Sequence, residues 1–382
     1  GDMNTKVEHH DSVYTWSAPF KQPPQKMLDV ERRFNDIEWA NDDFAIVTEW
    51  RFSDRQLRSW KFSPASPAAE KTLFQQRSYN DRYNDPGNFV TEKNEFGVDV
   101  IKVFGDNNKV LLTGRGASPE GNIPFMDEFD FGTASKQRLW QSEAPYYEQI
   151  VMPINDDATR VLTLRESVNE QPNFFIRDIS NDSLTQFTDF PHPSPAFVGI
   201  KKELIHYQRA DGVDLTGTLY LPPGYDESQG PIPVLMWAYP LEYRDKAVAS
   251  QVTDSPYEFV RVSYWGPLPH LAQGFAVFDD PKMPIIGTGD ELPNDNFRQQ
   301  LVESAIAAVN VLVSRGIADP DKIAIAGHSY GAFMVANLLA HSNLFKAGIA
   351  RSGAYNRSLT PFGFQGEERS FWEGQDVYAA MS

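Results

Sequence analysis

The chain has 382 residues, 41% of them hydrophobic and 13% aromatic, which is ample for packed cores and longer than one average domain. A formal net charge of −17 argues against nucleic acid or an anionic membrane surface as partner, because neither attracts an acidic protein. The absence of cysteine excludes disulfides, thiolate metal sites and a cysteine nucleophile.

Residues 1–197 show short alternating runs separated by turn residues, with little helical period. Four local echoes recur there: Trp16-Ser17, Phe62-Ser63, Phe131-Gly132 and Ile179-Ser180. Each follows a strand-like run and precedes a leucine in a second one, at Leu28, Leu73, Leu139 and Leu184. The echoes lie 46, 69 and 48 residues apart, the long step holding the polar insert Arg77 to Asn94. A period in the forties with several strands per unit predicts propeller blades, about four of them. A β-sandwich with similar turns is the alternative. Pro191, Pro193 and Pro195 then form a stiff exit from the sheet, since proline supplies no ladder donor.

Residues 198–382 change to an α/β pattern. Glu203–Gln208 and Leu215–Leu221 read as a hairpin around Ala210-Asp211-Gly212. Val234–Trp237 and Phe275–Phe278 are the next strands, and the apolar run Ile232–Leu241 reads as one buried strand. No apolar run reaches the roughly 18 residues of a membrane span. Asn296 is placed to cap a helix over Phe297–Arg315, with Gln299 completing a capping box. Its expected buried stripe is Phe297, Leu301, Ala305, Ile306, Val309, Leu312 and Val313, and Gly316 is its stop. Asp279-Asp280 and Asp290-Glu291 read as solvated loop carboxylates rather than a metal site.

The most informative segment is Gly327-His328-Ser329-Tyr330-Gly331, between the strand-like Lys322–Ala326 and the helix-like Ala332–Ala340. That is the setting of a nucleophile elbow, where a serine sits on a sharp strand-to-helix turn with its hydroxyl held clear of the main chain. Glycines two before and two after remove the Cβ atoms that so tight a turn would bring into collision. Ala347–Ala350 supplies a further strand, giving a mostly parallel sheet with the serine at its carboxyl edge.

Five stretches together resemble the prolyl oligopeptidase family of serine peptidases, its glutamyl endopeptidase-like branch in particular. They are Val13–Phe20, Met236–Pro240, Pro284–Gly287, Gly327–Met334 and Ala350–Arg357. The resemblance implies a β-propeller joined to an α/β-hydrolase domain, and cleavage of peptides after glutamate without metal or organic cofactor. Ser329 would be the nucleophile, and the backbone N–H of Tyr330 one oxyanion donor. The turn Trp237-Ala238-Tyr239-Pro240 would offer a second donor, the Tyr239 hydroxyl. Arg357, with Arg351 as second choice, would read the substrate carboxylate through its planar fork; the bland alternative for each is a surface ion pair.

One departure is expected to matter. In this fold the triad order is serine, then an acid, then histidine. After Ser329 the sequence holds only His341 and Asp376 as histidine and aspartate. His341 falls about three turns along the elbow helix, where it is better read as a surface residue; His328 is expected to point away from the hydroxyl. The chain is therefore expected to be an internal piece of a larger peptidase, inactive alone, with the natural N-terminus missing and a soluble, cytoplasmic or periplasmic setting. The rival functions are an esterase or acyltransferase using the same elbow, and a non-catalytic peptide-binding propeller.

Overall fold

A computed structural model describes residues 7–105 and 108–382. Up to Gln186 the chain builds separate antiparallel sheets in succession. A two-stranded hairpin, Asp11–Thr15 with Gln25–Val30, comes first. Three four-stranded meanders follow, over residues 33–78, 103–141 and 147–186, the middle one joined at its side by Asn88–Phe89. This is the partial β-propeller expected from the sequence. Every echo falls at the hairpin between the third and fourth strands of a blade. Phe62 ends Gln56–Phe62 and Leu73 lies in Thr72–Ser78, for example, while Ile179 follows Asn173–Asp178 and Leu184 lies in Ser183–Gln186. Trp16 and Leu28 occupy the same places in the first hairpin, which is thus the second half of a blade.

Stacking of blades explains why alternation fades in the second strand of the first meander. Phe44–Arg51 is buried on both faces. Ala45 and Val47 pack against Leu28, Val30 and Phe62 on one side. Phe44 and Ile46 pack against Ile101, Val110 and Phe131 on the other. A strand covered on both faces reads as a continuous apolar run.

The hydrolase part is a six-stranded sheet. Its strands are β1 (Lys201–Gln208), β2 (Asp214–Leu221), β3 (Ile232–Trp237), β5 (Ala276–Asp279), β7 (Ala318–His328) and β8 (Ala347–Arg351). Their order is β1-β2-β5-β3-β7-β8. β1 and β2 form the antiparallel hairpin, and β5, β3, β7 and β8 run parallel. Two short strands, β4 (Pro240–Tyr243) and β6 (Met283–Ile286), pair in parallel beside the carboxyl ends. The expected single strand over Ile232–Leu241 is therefore two strands: Pro240 lacks an N–H, so the chain leaves the main ladder after Trp237 and restarts in the small sheet. β7 contains the Asp319-Pro320-Asp321 turn as a bulge, because its pairing with β3 jumps from Ala318 to Ile323.

After the short helix α1 (Lys246–Ala249), α2 (Phe297–Ser314) covers one face with α3 (Tyr330–His341), packing Leu301, Ala305, Leu312, Phe333 and Leu338 against Val234, Met236 and Ile325. Gly316, at φ 71°, ends α2 as expected. Two expectations for α2 are corrected. Asn296 makes no cap, its amide reaching Glu291 instead, and Gln299 bonds Glu303 one turn on. A single turn of 3-10 helix, Pro293–Asn296, already leads into α2, with Asp295 accepting from the Leu292 N–H, so the capping role has moved upstream. Ile306 is 39% exposed; Ser304 and Ala308 take its place in the buried stripe.

Propeller and hydrolase are joined by the strap 250–262 and the propeller loop that begins the polar insert. Gln251 donates to Asp81 (2.8 Å) and accepts from the Arg82 N–H (2.6 Å), and the Val252 N–H donates to the Tyr83 hydroxyl (2.9 Å). Further along, buried Glu166 accepts from the Phe259 N–H and pairs with Arg261. Beneath the strap Lys202 reaches the carbonyl of Ser255 and lies 3.8 Å from Asp254. Burial, then Asp254, pushes the neighbouring Glu258 carboxyl up to about 7. Contrary to the sequence expectation, Asp279 is no solvated loop carboxylate but the half-buried end of β5, and burial with Asp280 and Asp254 raises it to about 7.

Candidate active site

β7 delivers the elbow because Ile323, Ile325 and Ala326 bury its end in the sheet while α3 must start at once on the next residue. The junction residue Ser329 sits at φ 56°, ψ −115°, a region that costs a non-glycine residue on the order of 1–3 kcal/mol. Neighbouring backbone holds it there. Its N–H donates to the Arg351 carbonyl on β8 (2.9 Å), and its carbonyl accepts from Ala332 (3.0 Å) and Phe333 (3.2 Å). The flanking glycines are obligatory for space. A Cβ on Gly327 would lie 2.5 Å from the Gly331 carbonyl carbon, and one on Gly331 would lie 2.6 Å from the Ala238 oxygen.

Tyr330 opens α3, so its N–H belongs to the first turn, whose donors have no intrahelical acceptor. Its side chain is 2% exposed and stacks on Phe333 at 5.4 Å and 7°. Its hydroxyl donates to Glu242 Oε1 on β4 at 2.9 Å. Burial first, then Glu242, pushes this phenol's pKa well above the ordinary value. Tyr239 lies on the turn between β3 and β4, its ring edge-on to Tyr330 at 5.9 Å and against Gly331. It is 36% exposed, and its hydroxyl has no hydrogen-bond partner among the described residues.

Arg357 and Arg351 occupy different settings. Arg351 is half-buried, donates to the Trp265 carbonyl (2.8 Å) and stacks on that indole. Arg357 is 4% exposed and makes no ion pair among the described residues, which removes the surface-pair alternative. Its guanidinium lies 3.9 Å over the Phe333 ring, 4.7 Å over Phe364 and 5.0 Å over Tyr330. Burial lowers its pKa, partly offset by Tyr330 and Glu242. Only its Nε is sealed from solvent without a partner; among the described residues the terminal nitrogens of the fork have no hydrogen-bond partner, and they are not sealed. Its backbone is fixed by the Ser382 hydroxyl, and the loop that follows by Glu367, which pairs with Arg369 (2.7 Å), itself paired with Asp295 (2.7 Å).

The structure thus brings Ser329, Tyr330, Tyr239 and Arg357 together around the elbow, with Arg351 touching it through its backbone. Ser329 Oγ has no partner among the described residues. His341 is exposed at the end of α3, His328 is exposed at the end of β7, and Asp376 is exposed in the first turn of α4 (Gln375–Met381). Glu242 escaped the sequence reading. Its signal would have been the restart at Pro240, which fixes alternation along β4 and turns Glu242 to the opposite side from Leu241 and Tyr243.

Residues 292–376 match the Prolyl oligopeptidase family. The whole chain is 45% identical to proteins named "Probable glutamyl endopeptidase, chloroplastic" from Oryza sativa subsp. japonica and Arabidopsis thaliana, covering 42% of each. The chain therefore spans less than half the length of these relatives. Among solved structures, an acylaminoacyl peptidase superposes with a TM-score of 0.60 at 16% identity, over 100% of this chain and 55% of that one. The Porphyromonas gingivalis dipeptidyl peptidase 4 gives 0.59 at 15%, over 97% and 56%. These show the shared propeller-plus-hydrolase fold, and the family resemblance drawn from the sequence is borne out. No described helix is long and apolar enough to cross a membrane. The plant relatives are named chloroplastic, which lends no support to a cytoplasmic or periplasmic setting.

Proposed function

We propose that this chain is the propeller-to-elbow part of a serine peptidase of the prolyl oligopeptidase type that cleaves peptides after glutamate. The observation that carries it is the backbone of Ser329, held off the ordinary regions at the tip of β7 with the first-turn N–H of Tyr330 beside it. Ser329 attacks the scissile carbonyl, and the developing oxyanion takes hydrogen bonds from the Tyr330 N–H and the Tyr239 hydroxyl. Removing one such donor costs about 10²–10³ in kcat. Arg357 reads the substrate carboxylate with the free end of its fork, and the aromatic rings around it leave that fork without a resident partner. Arg351 is kept as the weaker candidate, since its fork is already engaged at Trp265.

Since no described histidine stands at Ser329, the isolated chain is proposed to be inactive, and the test uses the full-length protein that contains it. Arg357→Ala is expected to collapse the ratio of kcat/KM for a peptide with Glu before the scissile bond to that for its Gln counterpart. An unchanged ratio removes Arg357 from the assignment. Faster turnover of a nitrophenyl ester than of any Glu peptide would replace the peptidase by an esterase.

A further inference from the structure

Buried Arg357 and half-buried Glu242 both contact Tyr330 and yet do not pair with each other. The Glu242 carboxyl accepts from the Tyr330 hydroxyl at 2.9 Å, and its stem lies flush under the backbone of Gly366, where a Cβ would meet Glu242 Cβ, Cγ and Cδ at 3.0, 3.3 and 3.4 Å. The guanidinium is held away from it on the faces of Phe333, Phe364 and Tyr330. A fixed carboxyl on the hydroxyl of Tyr330 and an unpaired cation 5.0 Å over its ring thus lie either side of one phenol.

We propose that Glu242 is a specificity-determining carboxyl that takes up a proton when a substrate carboxylate docks on Arg357. This rests on the reading of Arg357 given above. One cation cannot neutralise two carboxylates in an enclosed site, so the second must arrive with a proton or displace the first charge. The resident carboxyl is the one that can protonate in place. It then keeps an oxygen for the Tyr330 hydroxyl, whereas the substrate carboxylate needs both oxygens ionised to fill the fork. Burial already holds Glu242 above the usual carboxylate range, against the opposing Tyr330 hydrogen bond, the Gly366 N–H and Arg357. The other ionisable groups around it are Tyr330 on α3, Tyr239 beyond that ring and Tyr243 on the same strand. Glu367, next to Gly366, is already committed to Arg369. The balance is one proton from solvent per carboxylate bound, with no covalent change.

Two measurements on the full-length protein test this. In a Ser329→Ala variant, binding of a Glu peptide and of its Gln counterpart is followed by calorimetry in buffers of different ionisation enthalpy. Uptake approaching one proton is expected for Glu above the Glu242 pKa, and none for Gln; equal uptake for both overturns the proposal. In the active enzyme, KM for the Glu peptide is expected to rise about tenfold per pH unit in the same range, as linkage to one proton requires. Glu242→Gln, which keeps an acceptor for Tyr330, should flatten that slope. A slope that survives Glu242→Gln sinks the role of Glu242 while leaving Arg357 standing. A Glu/Gln ratio untouched by Arg357→Ala sinks the specificity reading itself.

Discussion

Replacing Gly331 by alanine is the sharpest test of how the elbow and the oxyanion turn are joined. The new Cβ would stand 2.6 Å from the Ala238 carbonyl oxygen, a backbone atom with no side-chain freedom to yield. Restoring an ordinary contact of about 3.4 Å requires the start of α3 to move roughly 0.8 Å from the turn that carries Tyr239. Both proposed oxyanion donors depend on that spacing, one on each side of the moved contact. A misplacement near 1 Å costs about 10²-fold in rate, which is about 2.7 kcal/mol of transition-state stabilisation. Folding should suffer too, by about 1–3 kcal/mol, as for other overpacked sites. The assay is kcat/KM of the full-length protein on a Glu peptide, beside a urea titration. Gly266→Ala is the control, because its Cβ meets nothing closer than 3.7 Å and its φ is not positive. A Gly331→Ala enzyme within threefold of wild type would refute the coupling of the two donors.

Two further outcomes concern the scaffold. Arg177 binds Glu148 through two parallel bonds of 2.9 and 2.8 Å, with Glu148 2% exposed and, among the described residues, only Arg165, at 3.5 Å, as a second cation. Arg177→Ala should therefore cost about 3–5 kcal/mol, read from the urea midpoint at constant m, and a loss under 1 kcal/mol would show that Arg165 suffices. At the domain seam, Glu258 is raised from 4.5 to about 7. A carboxyl raised in the folded state contributes stability that is complete below about pH 4.5 and is lost as pH rises through about 7. Glu258→Gln should reduce that decline, and an identical pH–stability curve for the variant would remove Glu258 as its source.

The elbow was legible because its chemistry is local: a strand, two glycines around a serine, and a helix fall within one short stretch. The blades were legible through the turn that closes each, since Phe62, Phe131 and Ile179 stand at equivalent hairpins. What escaped depends on contacts distant in sequence. Asn296 looks like a cap from its neighbours alone, but the 3-10 turn that displaces it is held by Asp295, which also pairs with Arg369. Asp279 looks solvated beside Asp280 and Pro281, but it ends β5 between Thr218 and Trp237 of the neighbouring strands, with Asp254 of the strap acting on it. Glu242 meets Tyr330 88 residues along the chain, a pairing that no local period announces.

A strand buried on both faces, such as Phe44–Arg51, has lost the usual guard against slippage. In a half-exposed strand, sliding by one residue turns every apolar side chain to water, and the sequence forbids it. Here sliding would merely exchange one interior for another. The polar residues of the same strand supply the missing constraint. Thr48 faces Ser59 with hydroxyls 2.9 Å apart, and Glu49 faces Arg58 at 2.9 Å. Moved by one place, Thr48 would confront Arg58 or Trp60, and a buried carboxylate would lose its cation. In this blade two enclosed polar pairs serve as alignment pins for a strand that its apolar residues alone would not hold in register.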